Sequence, residues 1–461
     1  MKRILALFIS LLSLASAQAE DGIQFSHGSW KEILSQAKKE NKLIFIDVYT
    51  SWCGPCKMMA AEIFPQKVVA DKFNASFINY KIDAEKGEGV QIAKQFEVHA
   101  FPTYLFVNGN GDLIYRTSGY MPAASFLDQA NIALKAKDDP KPIAKWQDEY
   151  NNGKRSKDFL LAYMKKRSNL KLPSAEIIEE LFPLLTKEDL KKKDVITSLI
   201  YFDANIQFVP GGKLFTYVLN NYKQLDSSKI IQSPLGIMEF GIRNYFKKNI
   251  VENKKEKMLP VMIQSYKKIM QATNVQPAEI IAMEKELPVE YYGTTGDATK
   301  LAPAVIDYVQ NGIMKLDIAG KQKQDEETFA GFMAPYLTGK ADSTKDEKFA
   351  MKRIMQSNNM VSISYQLRDA AEEVYKNISD PKLLKQATDW AKQADEWFPH
   401  FSSKAVYAGL LFKIGNTQQA VHIMESAGND PLLEKASGAQ NLILANVEKM
   451  KNGEAPKSLW K

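Results

Sequence analysis

Two cysteines separated by two residues are the side chains of this chain best suited to chemistry. Cys53 and Cys56 are the only cysteines among 461 residues, and they lie in the segment Trp52-Cys-Gly-Pro-Cys-Lys57. Two sulfurs at this spacing can close a disulfide across the first turn of a helix, so the oxidised and reduced forms differ by a small rearrangement. The spacing favours a redox-active disulfide.

The cysteine pair follows a predicted strand and begins a predicted helix. Residues 43–49 are almost continuously apolar, as in a strand covered on both faces, and helical spacing starts at Cys53. Unpaired N–H groups at a helix N-terminus stabilise a thiolate and lower the pKa of its thiol. We therefore expect Cys53 to attack as the nucleophile. Cys56, one turn into the helix and more buried, is expected to resolve the mixed disulfide.

Two other uses of the cysteine pair stay open, namely half of a zinc site and a purely structural disulfide. Zinc needs about four ligands, and the sequence holds no second cysteine pair and only four scattered histidines, His27, His99, His400 and His422. A structural disulfide that closes so short a loop would stabilise the fold little. We expect no metal site, and no cofactor apart from the redox-active Cys53–Cys56 disulfide.

The elements around the pair alternate between helical and strand-like periodicity. The predicted order over residues 30–134 is α-β-α-β-α-β-β-α, which is typical of a compact α/β domain. Pro65 is expected to break or restart the helix that begins at the cysteines. The segment Asn108-Gly-Asn-Gly-Asp112 predicts a hairpin between the last two strands. The predicted strands cover residues 43–49, 77–82, 104–107 and 113–117.

The alternation ends after a charged linker at residues 135–142, which contains two prolines. The remaining residues have helical periodicity, with breaks predicted at 210–212, at Pro288 and at 293–296. The predicted domains are therefore a compact α/β unit at 20–134, an all-helical domain at 143–350 and helical hairpins at 351–461.

The hairpin prediction depends on an internal repeat. Small residues seven apart recur after 33 residues, with a proline after each pair: Ala387, Ala394 and Pro399, then Ala420, Ala427 and Pro431. Gly415 lies where a turn between two helices would fall. Over about residues 361–432 the pattern resembles tetratricopeptide helical hairpins. An irregular helical domain stays open as the alternative.

Residues 1–19 have the form of a secretory signal peptide. A positive head at Lys2 and Arg3 precedes an apolar run at 4–14, and Ala17-Gln-Ala19 supplies small residues before a cleavage site. The apolar run is too short to cross a bilayer, which needs about 20 residues. We expect a secreted protein, most simply in a bacterial periplasm, without stable membrane insertion.

The charge of the chain is modest. The formal net charge is +7, and two of these charges belong to the expected signal peptide. No concentrated basic patch is present in the sequence, which argues against a nucleic-acid partner.

The residues around the cysteine pair resemble the thioredoxin superfamily. The resemblance rests on the segment from Ile44 to Lys57 and on Phe101-Pro-Thr103. Residues 58–73, Phe77 and 81–83 are similar to secreted thioredoxin-like domains and to the C-terminal domain of the bacterial transmembrane thiol–disulfide transporter. Over about residues 23–134 the resemblance implies a thioredoxin-like fold, a central mixed sheet flanked by helices. A large all-helical, repeat-like region is expected to follow it.

The resemblance implies roles for residues outside the pair. Asp47 matches a buried carboxylate that moves a proton on or off Cys56, and desolvation would raise its pKa toward neutrality. Pro102 matches a cis-proline that presents backbone to an extended substrate. Phe101 stands where the family often has an aliphatic residue. The implied substrate groove and active-site motif comprise Trp52, Phe101, Pro102, Gly119, Gly54, Pro55 and Lys57.

The resemblance also implies a direction of electron flow. Gly54-Pro55 between the cysteines is the form found in reductases of this family, so we expect reduction of disulfides in exported client proteins. A membrane thiol–disulfide transporter is the implied electron donor, and the helical region is expected to bind clients or partners. Oxidation or isomerisation of client disulfides stays open. So does a helical-repeat adaptor that carries a vestigial thioredoxin-like cap.

Overall fold

The computed structural model describes residues 22–201, 208–342, 356–430, 433 and 438–460. The predicted signal peptide at residues 1–19 and Pro431 lie outside these ranges. The chain divides into two compact units, Met1–Gln207 and Phe208–Lys461. Each unit is described by itself.

A mixed sheet of four strands forms the centre of the first unit, within its described residues. The strand order is β2-β1-β3-β4; β1 is parallel to β2 and antiparallel to β3, and β3 is antiparallel to β4. All but the last residue of β1 are buried, as its apolar composition predicts. The strands are β1 (Leu43–Tyr49), β2 (Phe77–Asp83), β3 (Thr103–Val107) and β4 (Leu113–Ser118).

Helices flank this sheet and complete the predicted order of elements, so the α/β thioredoxin-like fold is confirmed. The helix that begins after Cys53 continues into a π-helical turn, Met59–Ile63, and the next helix begins at Lys67, so the break predicted at Pro65 is also confirmed. The helices of this part are α1 (Trp30–Glu40), α2 (Gly54–Met58), α3 (Lys67–Ser76), α4 (Glu88–Gln95) and α5 (Ala123–Ala136).

Aromatic side chains fill the core beneath β1 and β3. Phe45 of β1 contacts Phe73 of α3 edge-on, with ring centroids 4.7 Å apart. Phe73 in turn stacks on Phe126 of α5 at 4.5 Å. All three rings are fully buried. Aromatic pairs of this kind stabilise a core beyond the burial of their area, and here they fix two helices against the strand that leads to the cysteines.

Four more helices of the first unit follow the predicted linker. The predicted linker, residues 135–142, begins in the last turn of α5 and ends directly before the first residue of α6. The domain boundaries predicted at residues 134, 143 and 350 remain predictions. The four helices are α6 (Ile143–Asn151), α7 (Lys157–Asn169), α8 (Ala175–Leu181) and α9 (Lys193–Tyr201).

The regular secondary structure of the second unit is all helical within its described residues, which confirms the predicted all-helical region. Its helices are α10 (Lys213–Ser227), α11 (Pro234–Tyr245), α12 (Leu259–Ala272), α13 (Pro277–Thr295), α14 (Ala298–Asn311), α15 (Ile318–Leu337), α16 (Asn358–Asn377), α17 (Pro381–Trp397), α18 (Phe401–Lys413), α19 (Thr417–Gly428) and α20 (Gly438–Lys451). Within these residues, no helix combines the length and apolar character needed to cross a bilayer.

The helix break predicted at Pro288 is wrong. Pro288 lies inside α13, which runs unbroken to Thr295. A proline inside a helix removes one backbone hydrogen bond and introduces a steric conflict. Here the neighbouring side chains of Leu287 and Val289 are buried in the core, and their burial holds the helix together. The break predicted at 293–296 is confirmed, because Gly296 ends α13 in the left-handed conformation.

The repeated small residues lie on α17 and α19, where all four alanines are fully buried. Gly415 adopts a φ of +87° in the turn between α18 and α19. Small buried side chains allow these helices to approach their neighbours closely. The assignment of this region to tetratricopeptide hairpins remains a prediction.

Candidate active site

The cysteine pair is a disulfide at the start of α2. Cys53 is the residue that caps the helix, and its Sγ accepts a hydrogen bond from the backbone N–H of Cys56 at 3.1 Å. The backbone N–H of Cys53 donates to the carbonyl oxygen of Thr50 at 3.2 Å, which anchors the loop from β1. The first turn of the helix carries no acidic residue. Sulfur that develops negative charge at Cys53 therefore faces helix N–H groups without a competing carboxylate in that turn.

The prediction that Cys56 is the more buried cysteine is wrong for this disulfide form. Cys53 is 3% exposed and Cys56 is 6% exposed. Closing the disulfide draws both sulfurs into the same first turn, so exposure does not separate their roles. The position of Cys53 as the helix cap is the feature that distinguishes the two sulfurs.

Three of the predicted groove residues are connected to one another through Trp52, the residue before Cys53. Trp52 is 64% exposed, and its ring meets that of Phe101 edge-on at 5.9 Å. The indole N–H of Trp52 donates a hydrogen bond to the carboxylate of Glu85 at 2.9 Å, which restrains the orientation of the ring. The peptide bond between Phe101 and Pro102 is cis. These contacts connect the residue before Cys53 to the segment that carries Pro102.

Gly119 completes this arrangement at the end of β4. Its N–H donates to the carbonyl oxygen of Pro102 at 2.9 Å, and its φ of +91° favours glycine. Space for a Cβ exists at this position, so the backbone angle is the constraint. The predicted groove residues Trp52, Phe101, Pro102 and Gly119 thus form one connected set.

Asp47 is a buried acid in the middle of β1, six residues before Cys53. It is 2% exposed, and its Oδ2 lies 3.2 Å from Nζ of Lys81. Burial raises the pKa of Asp47 to about 6, although the charge and hydrogen bond of Lys81 lower it. A carboxyl group that titrates near neutrality can both accept and release a proton in one reaction cycle.

Lys81 and Tyr104 are neighbours of Asp47 that its position along the chain does not reveal. Lys81 is the residue paired with Asp47 on β2, and Tyr104 is the residue paired with it on β3. Paired residues project on the same face of a sheet, so the three form one row. Register between predicted strands was the signal that could have found them. Within the described residues, the buried hydroxyl of Tyr104 has no hydrogen-bond partner.

The active-site motif residues lie in and around the first turn of α2. Gly54 is its first residue, with open space where a Cβ would stand, and Pro55 follows in the first turn, where its missing N–H is not needed. Lys57 is exposed and lies in the last turn. Across the parts of the chain that are described, no group of three or more His, Cys, Asp or Glu side chains could hold a metal ion.

Comparison with known proteins agrees with this geometry. Residues 30–132 match the thioredoxin-like domain family. Thioredoxin H4 from Arabidopsis thaliana is 41% identical over 90 residues, which are 20% of this chain and 71% of the relative. Thioredoxin H2 from the same plant is 37% identical over 83 residues, 18% of this chain and 57% of the relative. The matched residues of this chain therefore cover 71% of the length of the first relative and 57% of the length of the second.

Two solved structures are similar to part of this chain. The solution structure of a putative disulphide-isomerase from Bacteroides thetaiotaomicron is 44% identical, with 25% of this chain and 95% of that chain covered and a TM-score of 0.24. A thioredoxin from Thermus thermophilus is 20% identical, with 25% and 91% covered and a TM-score of 0.24.

The match of residues 30–132 contains the complete cysteine motif, the sheet that supports it and the segment with Pro102. An identity of 41% over most of a thioredoxin's length accompanies these features. The chain is a thiol–disulfide oxidoreductase that carries the Cys53–Cys56 disulfide, and it belongs to the thioredoxin family.

Proposed function

We propose that this chain reduces disulfide bonds in exported client proteins, using Cys53 and Cys56 as its dithiol. The observation that carries the proposal is the Cys53–Cys56 disulfide at the start of α2, with Cys53 as the helix cap. Gly54-Pro55 between the sulfurs supports the reducing direction, because no histidine there adds its charge to stabilise the thiolate form.

The proposed reaction has two exchange steps. In the first, the Cys53 thiolate attacks one sulfur of a client disulfide, forms a mixed disulfide and releases the other client sulfur as a thiolate that takes up a proton. In the second, Cys56 loses its proton to the Asp47 carboxylate and attacks Sγ of Cys53. The client leaves as a dithiol and the Cys53–Cys56 disulfide forms. Two electrons have moved from the pair to the client.

The groove beside the pair supports binding of an extended client segment. Trp52 offers an exposed ring, and the Phe101–Pro102 segment offers backbone groups next to it. Phe101 is larger than the aliphatic residues common in the family at this position. We propose that it narrows the groove and so influences which clients bind.

An insulin reduction assay tests the proposed activity. We expect the wild type to reduce insulin with dithiothreitol as the electron source, and Cys53→Ser to abolish the activity, because its hydroxyl cannot form the mixed disulfide. Wild-type protein that is reduced and then alkylated is the matched control for loss of thiols. Absence of activity in the untreated wild type would contradict the proposal and favour an adaptor with a vestigial cap.

We further propose that the mature protein works in a bacterial periplasm and receives electrons from a membrane thiol–disulfide transporter. The apolar run and small residues of 1–19 support export. Export predicts a mature N-terminus at Glu20, which mass spectrometry of the purified protein measures. Thiol trapping in cells with and without the transporter tests the donor: a pair that stays equally reduced in both would exclude it.

A further inference from the structure

The second unit contains an open cavity whose charged lining residues are mainly acidic. It lies among α11 with the π-helical turn after it, α13, α14 and α16, and its volume is about 390 Å³. We call it the acidic cavity. Its charged lining residues are two cations and five carboxylates: Arg243 and Lys247, then Glu286, Glu290, Asp369, Glu372 and Glu373.

Several of these carboxylates are already neutralised by neighbours. Glu290 lies 3.1 Å from Nη1 of Arg243, and Glu372 lies 2.9 Å from Nζ of Lys376. Among the described residues, no cation lies within ion-pair distance of Glu286. Burial raises the pKa of Glu286 above its usual range, Arg243 lowers that pKa, and Glu290 raises it. Glu286 thus has no direct ion pair in the described part of the chain, although the positive charges of Arg243 and Lys247 act on it at longer range.

Tyr308 gives a second, independent indication of a ligand. It lines the acidic cavity and is only 3% exposed. In the described part of the chain, its hydroxyl has no hydrogen-bond partner. A ligand in the cavity that donates an N–H to this oxygen would give it a hydrogen-bond partner.

An adjoining cavity indicates what kind of cationic molecule would bind beside Glu286. Its volume is about 300 Å³, and it shares Glu286 and Gln366 with the acidic cavity. The ion-paired side chains of Glu279 and Lys321 also line it. Its apolar lining comes from α12, α13, α16 and the segment before α15: Met270, Met283, Ile363 and Leu316. A free amine would fill only the first cavity, whereas a peptide can place neighbouring side chains in both.

We propose that the two cavities bind a peptide segment, with a lysine or arginine side chain beside Glu286 and Tyr308 and an apolar side chain in the adjoining cavity. The ammonium or guanidinium group donates hydrogen bonds to the Glu286 carboxylate and to the Tyr308 hydroxyl. Gln366, at the junction, faces the peptide between the two side chains. The proposal rests on the proposed function only for the view that the peptide belongs to a client protein.

Fluorescence anisotropy with the full chain tests the site. The probe is a labelled, capped heptapeptide with a central lysine flanked by leucines, and its partner peptide carries acetyllysine, which keeps the shape and removes the charge. We expect the lysine peptide to bind at least tenfold more tightly, since a charged hydrogen bond contributes about 1.5 to 3 kcal/mol and 1.4 kcal/mol is tenfold. Glu286→Gln should remove most of this preference.

Matched variants complete the design. Glu396→Gln removes an exposed carboxylate of the same unit that does not line either cavity, and it should leave binding unchanged. Tyr308→Phe keeps the buried ring, and it should weaken binding of the lysine peptide several-fold if the hydroxyl accepts from the ligand. Tyr308→Phe also tests the proposed site if the Glu286→Gln variant does not fold.

Three results would overturn the proposal: equal affinity for the two peptides, unchanged binding in both Glu286→Gln and Tyr308→Phe, or n-butylamine binding as tightly as the lysine peptide. The last result would assign the site to a free amine. Since the peptide contains no cysteine, its binding is independent of the redox pair. Loss of insulin reduction in the wild type would therefore contradict the proposed function and leave the peptide measurement intact.

Discussion

At the scale of single residues, the position of Asp47 between strands decides its chemistry. Lys81 on one side contributes a cation at 3.2 Å, and Tyr104 on the other is paired with it in the antiparallel register. The carboxyl is buried, and desolvation outweighs the attraction of the lysine, so its pKa rises. Sequence alone pointed to a raised pKa from the apolar strand. It did not show the lysine, because that contact depends on strand register.

Asp47 should make the first unit less stable above pH 6 than below it. Its pKa is 3.8 in the unfolded chain and about 6 in the folded one, so the folded state binds the proton more tightly. Stability is therefore highest below about pH 4, falls as the pH rises toward 6 and is constant above it. The difference between the two pKa values corresponds to about 3 kcal/mol of folding free energy, at about 1.36 kcal/mol per pKa unit.

Asp47→Asn should remove the loss of folding stability that occurs as the pH rises toward 6, so the variant should be more stable than the wild type at pH 7. Hydrogen exchange of the β1 amides in the oxidised full chain, from pH 4 to 8, measures the local free energy of unfolding after correction for intrinsic exchange. The exposed Asp71→Asn is the matched control and should follow the wild type. A wild-type stability in β1 that rises between pH 4 and 6 would refute the assignment.

Asp47→Asn should also slow catalysis, because the amide cannot accept the Cys56 proton. We expect the rate of the second exchange step to fall by about tenfold to a hundredfold at pH 7, within the usual range for general-base catalysis. The wild-type rate should decline as the pH drops below 6, whereas the variant lacks that inflection. Stopped-flow measurement of the decay of the mixed disulfide gives both. An identical pH profile in the two proteins would exclude Asp47 as the proton acceptor.

Tyr104→Phe should leave the first unit equally stable or stabilise it by about 1 kcal/mol. The hydroxyl is buried and has no hydrogen-bond partner in the described structure, so its removal takes away a desolvated polar group and leaves the packed ring in place. The same exchange measurement on β3 tests this. A loss of more than 1 kcal/mol would mean that the hydroxyl has a stabilising partner.

At the scale of elements, strands and turns with strong local signals were predictable. The apolar run at 43–49 became β1 with the predicted bounds, and the glycine-rich segment after β3 became the hairpin turn. Pro288 shows the limit of such signals. The local rule ends a helix there, but packing of Leu287 and Val289 overrides it. Tertiary packing of this kind cannot be read from a proline in one sequence.

The junction of α15 and α16 depends on one buried acid. Asp325 is 3% exposed and accepts hydrogen bonds from the backbone N–H groups of Asn359, at 2.8 Å, and Met360, at 3.0 Å. Asp325→Ala leaves these groups at the start of α16 without their partner. We expect a loss of about 3 kcal/mol in the exchange stability of α16, with the exposed Glu326→Ala as control. Equal protection in the two variants would refute this role.

At the scale of the whole molecule, the sequence pointed to the cysteine pair but not to the acidic cavity. The cysteines and their helix are neighbours in sequence, so their spacing was informative. The cavity joins residues from Arg243 to Glu373 on four helices, and only their packing brings Glu286 and Tyr308 together. Spacing along the chain carries no signal for such a site.

The second unit should determine which client proteins react with the cysteine pair. Cys56→Ser leaves the mixed disulfide unresolved, so the full chain should trap clients that mass spectrometry identifies. A chain that ends at residue 207, the boundary of the first unit, should trap a different and smaller set. Insulin reduction by the same shortened chain with both cysteines checks that its active site is intact. Identical sets of trapped proteins would contradict a client-binding role for residues 208–461.

The reduction potential of the Cys53–Cys56 pair tests the central claim most directly. Equilibration of the full chain with dithiothreitol and glutathione buffers, followed by thiol trapping, gives the fraction oxidised at each potential. A reductase with Gly-Pro between its sulfurs should have a midpoint near that of thioredoxin, about −270 mV. A midpoint near about −120 mV, as in strong disulfide oxidants, or a pair that does not titrate in any buffer, would contradict the account.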